Sequence, residues 1–166
     1  MEGIPRDDRP PEATAQAANI GIVRPPLVYL VAIVAGAVLQ VIRPLPFLPR
    51  VLAAPVGGLL VVGAGVLFIS SVRRFRAAGT PVPGDLPTTV IVRTGPYRFS
   101  RNPIYLAFSV LQLGIAVWVN SLWLLATLAA AVAVMASIVI PREERYLERK
   151  FGTNYLQYKS SVRRWV

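Results

Sequence analysis

The chain has 166 residues, 54% of them hydrophobic, with a mean hydropathy of +0.53 and a formal net charge of +10. That length suits one domain, and that composition excludes an ordinary soluble one. Cysteine and histidine are both absent, so disulfides, thiol nucleophiles, imidazole bases and His/Cys metal sites are excluded; carboxylates, hydroxyls, guanidiniums, Lys150, Lys159 and the backbone remain.

Residues 1–24 are rich in proline, alanine and acids without apolar periodicity, which predicts a disordered tail rather than a cleavable signal peptide. Pro25-Pro26 opens the first apolar segment, where the missing N–H groups cost a helix nothing. That segment, Leu27–Ile42, reaches only about 24 Å against a bilayer core of about 30 Å, which makes it the weakest of four candidate spans. Pro44, Pro46 and Pro49 then break the chain into a short external loop. The second span, Val51–Val72, carries Gly57, Gly58, Gly63 and Gly65, small residues that let helices approach closely in lipid. Arg73-Arg74-Phe75-Arg76 closes it.

From Ala77 to Ser100 runs a polar segment punctuated by proline and glycine, longer than a compact protein needs for a connection and therefore a candidate for function. Within it, the β-branched run Thr88-Thr89-Val90-Ile91-Val92 suggests extended chain lying over a site. Pro103 opens the third span, Ile104–Val119, with Asn102 as a candidate N-cap. Asn120-Ser121 turns directly into the fourth span, Leu122–Ile140, so spans three and four form an antiparallel hairpin. Beyond Pro141, Leu147, Phe151, Tyr155 and Tyr158 recur at helical spacing, which predicts an amphipathic helix on the feet of the spans, interrupted at Gly152. Trp165 among arginines suits the membrane interface. The fold predicted is all-α and membrane-integral: about four transmembrane helices over 27–42, 51–72, 104–119 and 122–140, ending in a hairpin and a cytoplasmic amphipathic helix.

The basic residues alternate in density along the chain. Arg6, Arg9 and Arg24 precede the first span, and only Arg43 and Arg50 separate the first from the second. Arg73, Arg74, Arg76, Arg93, Arg98 and Arg101 lie between the second and third; none lies in the Asn120-Ser121 turn, and the remainder follow the fourth. This positive-inside pattern predicts an inner-membrane, multi-pass protein with both termini and the long loop in the cytoplasm. Attraction to anionic lipids accounts for the excess charge, so no nucleic-acid partner is required. The spans contain no charged residue, which argues against a transporter.

Taken singly, the polar residues at the span ends are unremarkable. Glu143 and Glu144 suit surface pairing, Arg93, Arg98 and Arg101 suit anchoring, and Tyr97 and Tyr105 suit an aromatic belt. Their succession is more specific. Gly79-Thr80, Gly95-Pro96-Tyr97-Arg98 and Arg101-Asn102-Pro103-Ile104-Tyr105 precede the apolar hairpin. Glu143-Glu144, Leu147, Phe151-Gly152, Tyr155, Tyr158, Val162 and Arg164-Trp165 follow it. Over Phe75–Val166 this order resembles the isoprenylcysteine carboxyl methyltransferase and phospholipid methyltransferase family of integral-membrane enzymes, in its bacterial form.

The resemblance implies a membrane methyltransferase domain over 25–166 that uses S-adenosyl-L-methionine, with its cofactor site drawn from 88–105 and 141–166. The residues it implies for the cofactor are Thr89, Val90, Ile91, Val92, Tyr97, Asn102, Pro103, Ile104, Tyr105 and Glu143. Glu144 and Arg101 are the candidate catalytic residues, Glu144 or a tyrosine being the local choice of base for an amine or thiol acceptor. Backbone of an extended segment suits adenine, carboxylates suit ribose hydroxyls or the ammonium, and arginine suits the carboxylate. The implied acceptor is a small lipophilic molecule, an isoprenoid acid, lipid amine or thiol, arriving from the membrane lipids. Two positions depart from the pattern: Asn102 stands where many members have histidine, and Val139 stands where prenylcysteine-methylating enzymes have arginine. A carboxylate acceptor would thus lose its expected counter-ion. The alternative function is a non-enzymatic membrane scaffold, compatible with the glycine-rich second span.

Overall fold

The computed structural model describes residues 24–81 and 88–166, so the tail expected over 1–24 lies outside the described residues except for Arg24. Among these residues the fold is all-α, as predicted. Its helices are α1 (Pro25–Ile42), α2 (Arg50–Ala77), α3 (Pro103–Trp118), α4 (Leu122–Val134), α5 (Ile140–Phe151) and α6 (Thr153–Ser161). A 3-10 turn, Gly95–Arg98, precedes α3, and a π-helical turn, Met135–Val139, joins α4 to α5 as one continuous rod, Leu122–Phe151.

Three of these helices are long and apolar enough to cross a membrane: α1, α2 and the α4–α5 rod. The weak member is therefore not the first. Pro25 and Pro26 serve as helical residues, extending α1 to 18 residues, whereas α3 has 16 and its spanning length is the marginal one. Burial compensates for that shortness. α3 packs most extensively on α2 and also meets α4 and α1, and eight of its residues are buried, so much of its length is sheltered by protein rather than lipid. α2 runs 28 residues, five beyond the predicted Val72, so its basic end stands clear of the apolar zone.

Close approach of α2 to α3 depends on two glycines. A Cβ on Gly57 would come within 2.4 Å of Trp118 N, and one on Gly114 within 2.9 Å of the backbone N of Val61. Gly58, Gly63 and Gly65 have nothing within that reach, so of the four glycines in α2 only Gly57 serves helix contact. At the far end, Asn120 turns the chain with φ +56° while its side chain bonds Phe47, Leu48 and the carbonyl of Leu48. Ser121 caps α4 by accepting from Leu124 N. At the near end, Tyr29 Oη of α1 donates to the carbonyl of Tyr105 and pairs with Ser109 Oγ, tying α1 to α3 beneath the polar cluster.

The π-turn has a local cause. Pro141 has no N–H for the carbonyl four residues before it, and the ladder widens there: Ile140 N–H reaches back to Met135 O. Met135, Val139 and Ile140 are wholly buried at this point, in one core with Tyr29, Phe75, Val92, Tyr97, Ile104 and Tyr105. That core is the floor on which the polar residues stand.

Candidate functional site

Four stretches of chain meet above this core. Residues 88–92 come in as irregular chain rather than as a strand, the 3-10 turn brings Tyr97, the start of α3 brings Arg101 to Tyr105, and α5 and α6 close the far side. They enclose a cavity of about 660 Å³, counted to its open mouth. Of the residues singled out in the sequence, Val90, Ile91, Val92, Tyr97, Arg101, Asn102, Pro103, Ile104, Tyr105, Glu143 and Glu144 all line it. Thr89 does not; its N–H donates to Thr80 Oγ1 at 2.8 Å, which pins residues 88–92 to the end of α2. Gly79, with φ +64°, supplies the turn that places Thr80 there.

The two adjacent glutamates serve different neighbours. Both are buried, against the expectation that a surface pair would explain them, because α5 is flanked by α3 on one side and by the C-terminal residues on the other. Glu143 Oε2 accepts a 2.9 Å hydrogen bond from Tyr105 Oη. Glu143 lies three residues beyond Ile140, where the apolar part of the rod ends. Burial pushes its carboxyl up to about 7; the Tyr105 bond opposes the shift and the Glu144 charge adds to it. Glu144 instead faces cations: Arg101 Nη2 at 3.0 Å, Arg164 Nη2 at 2.8 Å and Nε at 3.2 Å, and Lys159 Nζ at 3.8 Å.

Asn102 occupies the N-cap position of α3, but its side chain does not cap the helix. Its Nδ2 donates instead to the carbonyl of Arg164 at 3.0 Å. Tyr97 is held edge-on to Phe75, ring centres 5.1 Å apart, and its carbonyl accepts from Tyr158 Oη at 2.8 Å. Burial, with Glu143 and Tyr158 nearby, holds the Tyr97 hydroxyl well above the usual phenol range, so it stays protonated. Tyr97 Oη and Arg101 Nε are buried lining groups without a hydrogen-bond partner among the described residues. Buried polar atoms are normally satisfied, so these two mark where a polar ligand would complete the site.

Several members of the wall stood in the sequence motifs or beside them without being assigned to the site residue by residue. Phe75, Thr88, Leu147, Tyr155 and Tyr158 line the cavity too. Tyr155 and Tyr158 were visible as a helical stripe, but a stripe does not distinguish packing on spans from walling a cavity. Arg164 stood in the sequence only as part of the Arg164-Trp165 motif, and its pairing with Glu144, 20 positions earlier, had no signal. Among the described residues no cluster of three or more His, Cys, Asp or Glu side chains is placed to hold a metal.

Comparison with known proteins gives one family and two relatives. The phospholipid methyltransferase family matches residues 52–154, more than half of the chain. An uncharacterized protein of Haemophilus influenzae is 42% identical over 65 residues, 38% of this chain and all of that protein. The nickel-cobalt-cadmium resistance protein NccN of Alcaligenes xylosoxydans xylosoxydans is 39% identical over 64 residues, 39% of this chain but 30% of that protein. No solved structure matches.

Proposed function

We propose that this chain, which belongs to the phospholipid methyltransferase family, transfers a methyl group from S-adenosylmethionine to a small lipophilic acceptor at the cytoplasmic face of the inner membrane. The acceptor is an isoprenoid acid, a lipid amine or a thiol. The observation that carries this reading is the cavity at the foot of the spans, in which Val90–Val92, Tyr97, Asn102–Tyr105 and Glu143 converge around two unpartnered polar atoms.

The lining suits that cofactor. Backbone groups of residues 90–92 are available to an adenine edge, Glu143 to ribose hydroxyls or an ammonium, and Arg101 Nε to a carboxylate. When bound, the cofactor supplies an electrophilic methyl group on a sulfonium. The protein's own contribution is then positional. Tyr105 fixes the rotamer of Glu143, Phe75 and Tyr158 fix Tyr97, and the buried aromatic floor limits water. Arg101, one of the residues considered for chemistry, is held by Glu144 through one guanidinium nitrogen while Nε stays unpartnered.

Calorimetric titration of the purified protein with S-adenosylmethionine tests the reading. Saturable one-to-one binding, weakened at least tenfold in Glu143→Ala, is expected; absence of binding at millimolar cofactor would overturn it.

A further inference from the structure

Sequence reasoning offers Glu144 or a tyrosine as a base, and the structure surrounds Glu144 with cations. A carboxylate has about four lone-pair directions. All four contacts around Glu144 are made by cations: Arg101 and Arg164 Nε on Oε1, Arg164 Nη2 and Lys159 on Oε2. Cations on both oxygens leave little room there for a ligand's hydroxyl.

What the contacts do is join distant pieces. Arg101 precedes α3, whereas Lys159 and Arg164 belong to the arm formed by α6 and the residues after it. The same arm is bonded to the same rim by backbone: Arg101 N–H donates to the carbonyl of Arg163, and Asn102 Nδ2 and Ser100 Oγ donate to that of Arg164. Arg101 Nη1 reaches the carbonyl of Lys159, and Arg93 Nη2 reaches that of Asn154. The arm also supplies Tyr155 and Tyr158 to the cavity wall. It leaves α5 at Gly152, whose φ of +53° only glycine adopts freely and whose Cα faces open space. Tyr155 and Tyr158 are buried and Trp165 packs on the core, and polar contacts join the arm to the rim. The side chains of Lys159 and Arg164 are about one-third exposed, so water competes for those bonds.

We propose that Glu144 and Arg164 are positioning residues: their ion pair latches the arm, residues 153–166, over the cavity, and the arm opens by rotation at Gly152. Closure completes the wall with Tyr155 and Tyr158 and fixes Arg101 and Asn102 at the rim. Opening exposes the cavity for exchange of its contents. The inference rests on the reading of the cavity as a cofactor site only for what is exchanged, not for the motion.

The chain has no cysteine of its own, so spin labels on Ala78→Cys and Ser160→Cys, both exposed positions, report the arm against the end of α2. Pulsed electron resonance in nanodiscs is read for the parent, Arg164→Gln, Arg164→Lys and Glu144→Gln. Arg164→Gln leaves Glu144 with Arg101 and Lys159, so the fold is kept even where Glu144→Gln fails to assemble. The expected result is one short, narrow distance in the parent, an added longer population in Arg164→Gln, and partial return with Arg164→Lys. S-adenosylmethionine should leave Arg164→Gln about ten- to a hundredfold faster than it leaves the parent, the effect of losing one charge-assisted pair. A distance distribution in Arg164→Gln identical to the parent's overturns the latch, whether or not cofactor binds. Failure of the parent to bind cofactor, with the arm released in Arg164→Gln, overturns the proposed function and leaves the latch standing.

Discussion

The hydrogen bond from Tyr105 Oη to Glu143 Oε2 links the first turn of α3 to the first turn of α5 in a buried setting. Glu143 titrates in the folded protein at about 7 against an ordinary 4.5, chiefly because burial disfavours its charge. The native state therefore favours the protonated acid. Its contribution to stability is fully present below pH 4.5 and is lost as pH rises through 7. Relative to Glu143→Gln, the parent should lose on the order of 3 kcal/mol across that window, read as unfolding free energy against pH; a gap that stays constant with pH would contradict the assignment. Tyr105→Phe removes the bond that lowers the Glu143 value, so its transition should move to higher pH. It should also cost about 1–3 kcal/mol for the carboxyl left without its partner. The importance of this pair was legible in the sequence only as adjacency of motifs. That Glu143 meets Tyr105 while Glu144 meets Arg101 was not, because a helix sends neighbouring side chains about 100° apart and the sequence does not say what stands on either side.

Among the elements, α2 shows what an apolar run conveys and what it omits. Its existence followed from length and hydropathy; its last five residues did not, since Arg73, Arg74 and Arg76 read as a stop although they only mark where the helix leaves the apolar zone. The glycines of α2 looked equivalent and are not. Gly57→Ala would drive a methyl into the backbone of Trp118 and should cost about 1–3 kcal/mol. Gly58→Ala meets nothing and should be neutral or stabilising by up to about 1 kcal/mol, as expected for an open helical site. Comparing the two by thermal unfolding in detergent checks the α2–α3 packing; equal effects would contradict it. The π-turn before Pro141 was likewise invisible as a widened turn, though its cause, a proline inside a helical run, stood in the sequence.

For the molecule as a whole, the legible part was the hairpin and the gathering of motifs at one end. The hidden part was closure by the C-terminal residues, which requires Arg164 to return to Glu144 and Asn102 across the fold. Positive-inside asymmetry further predicts that the cavity end faces the cytoplasm. A membrane-impermeant thiol reagent should label Arg50→Cys in intact cells and Ser160→Cys only after the membrane is opened; the reverse order would contradict that orientation. The direct test of the account is transfer itself. Membranes containing the protein, incubated with methyl-labelled S-adenosylmethionine and then extracted, should gain label in the lipid-soluble fraction, and Glu143→Ala should reduce that gain at least tenfold. No label in that fraction, or equal label with Glu143→Ala, would contradict a membrane methyltransferase built around this cavity.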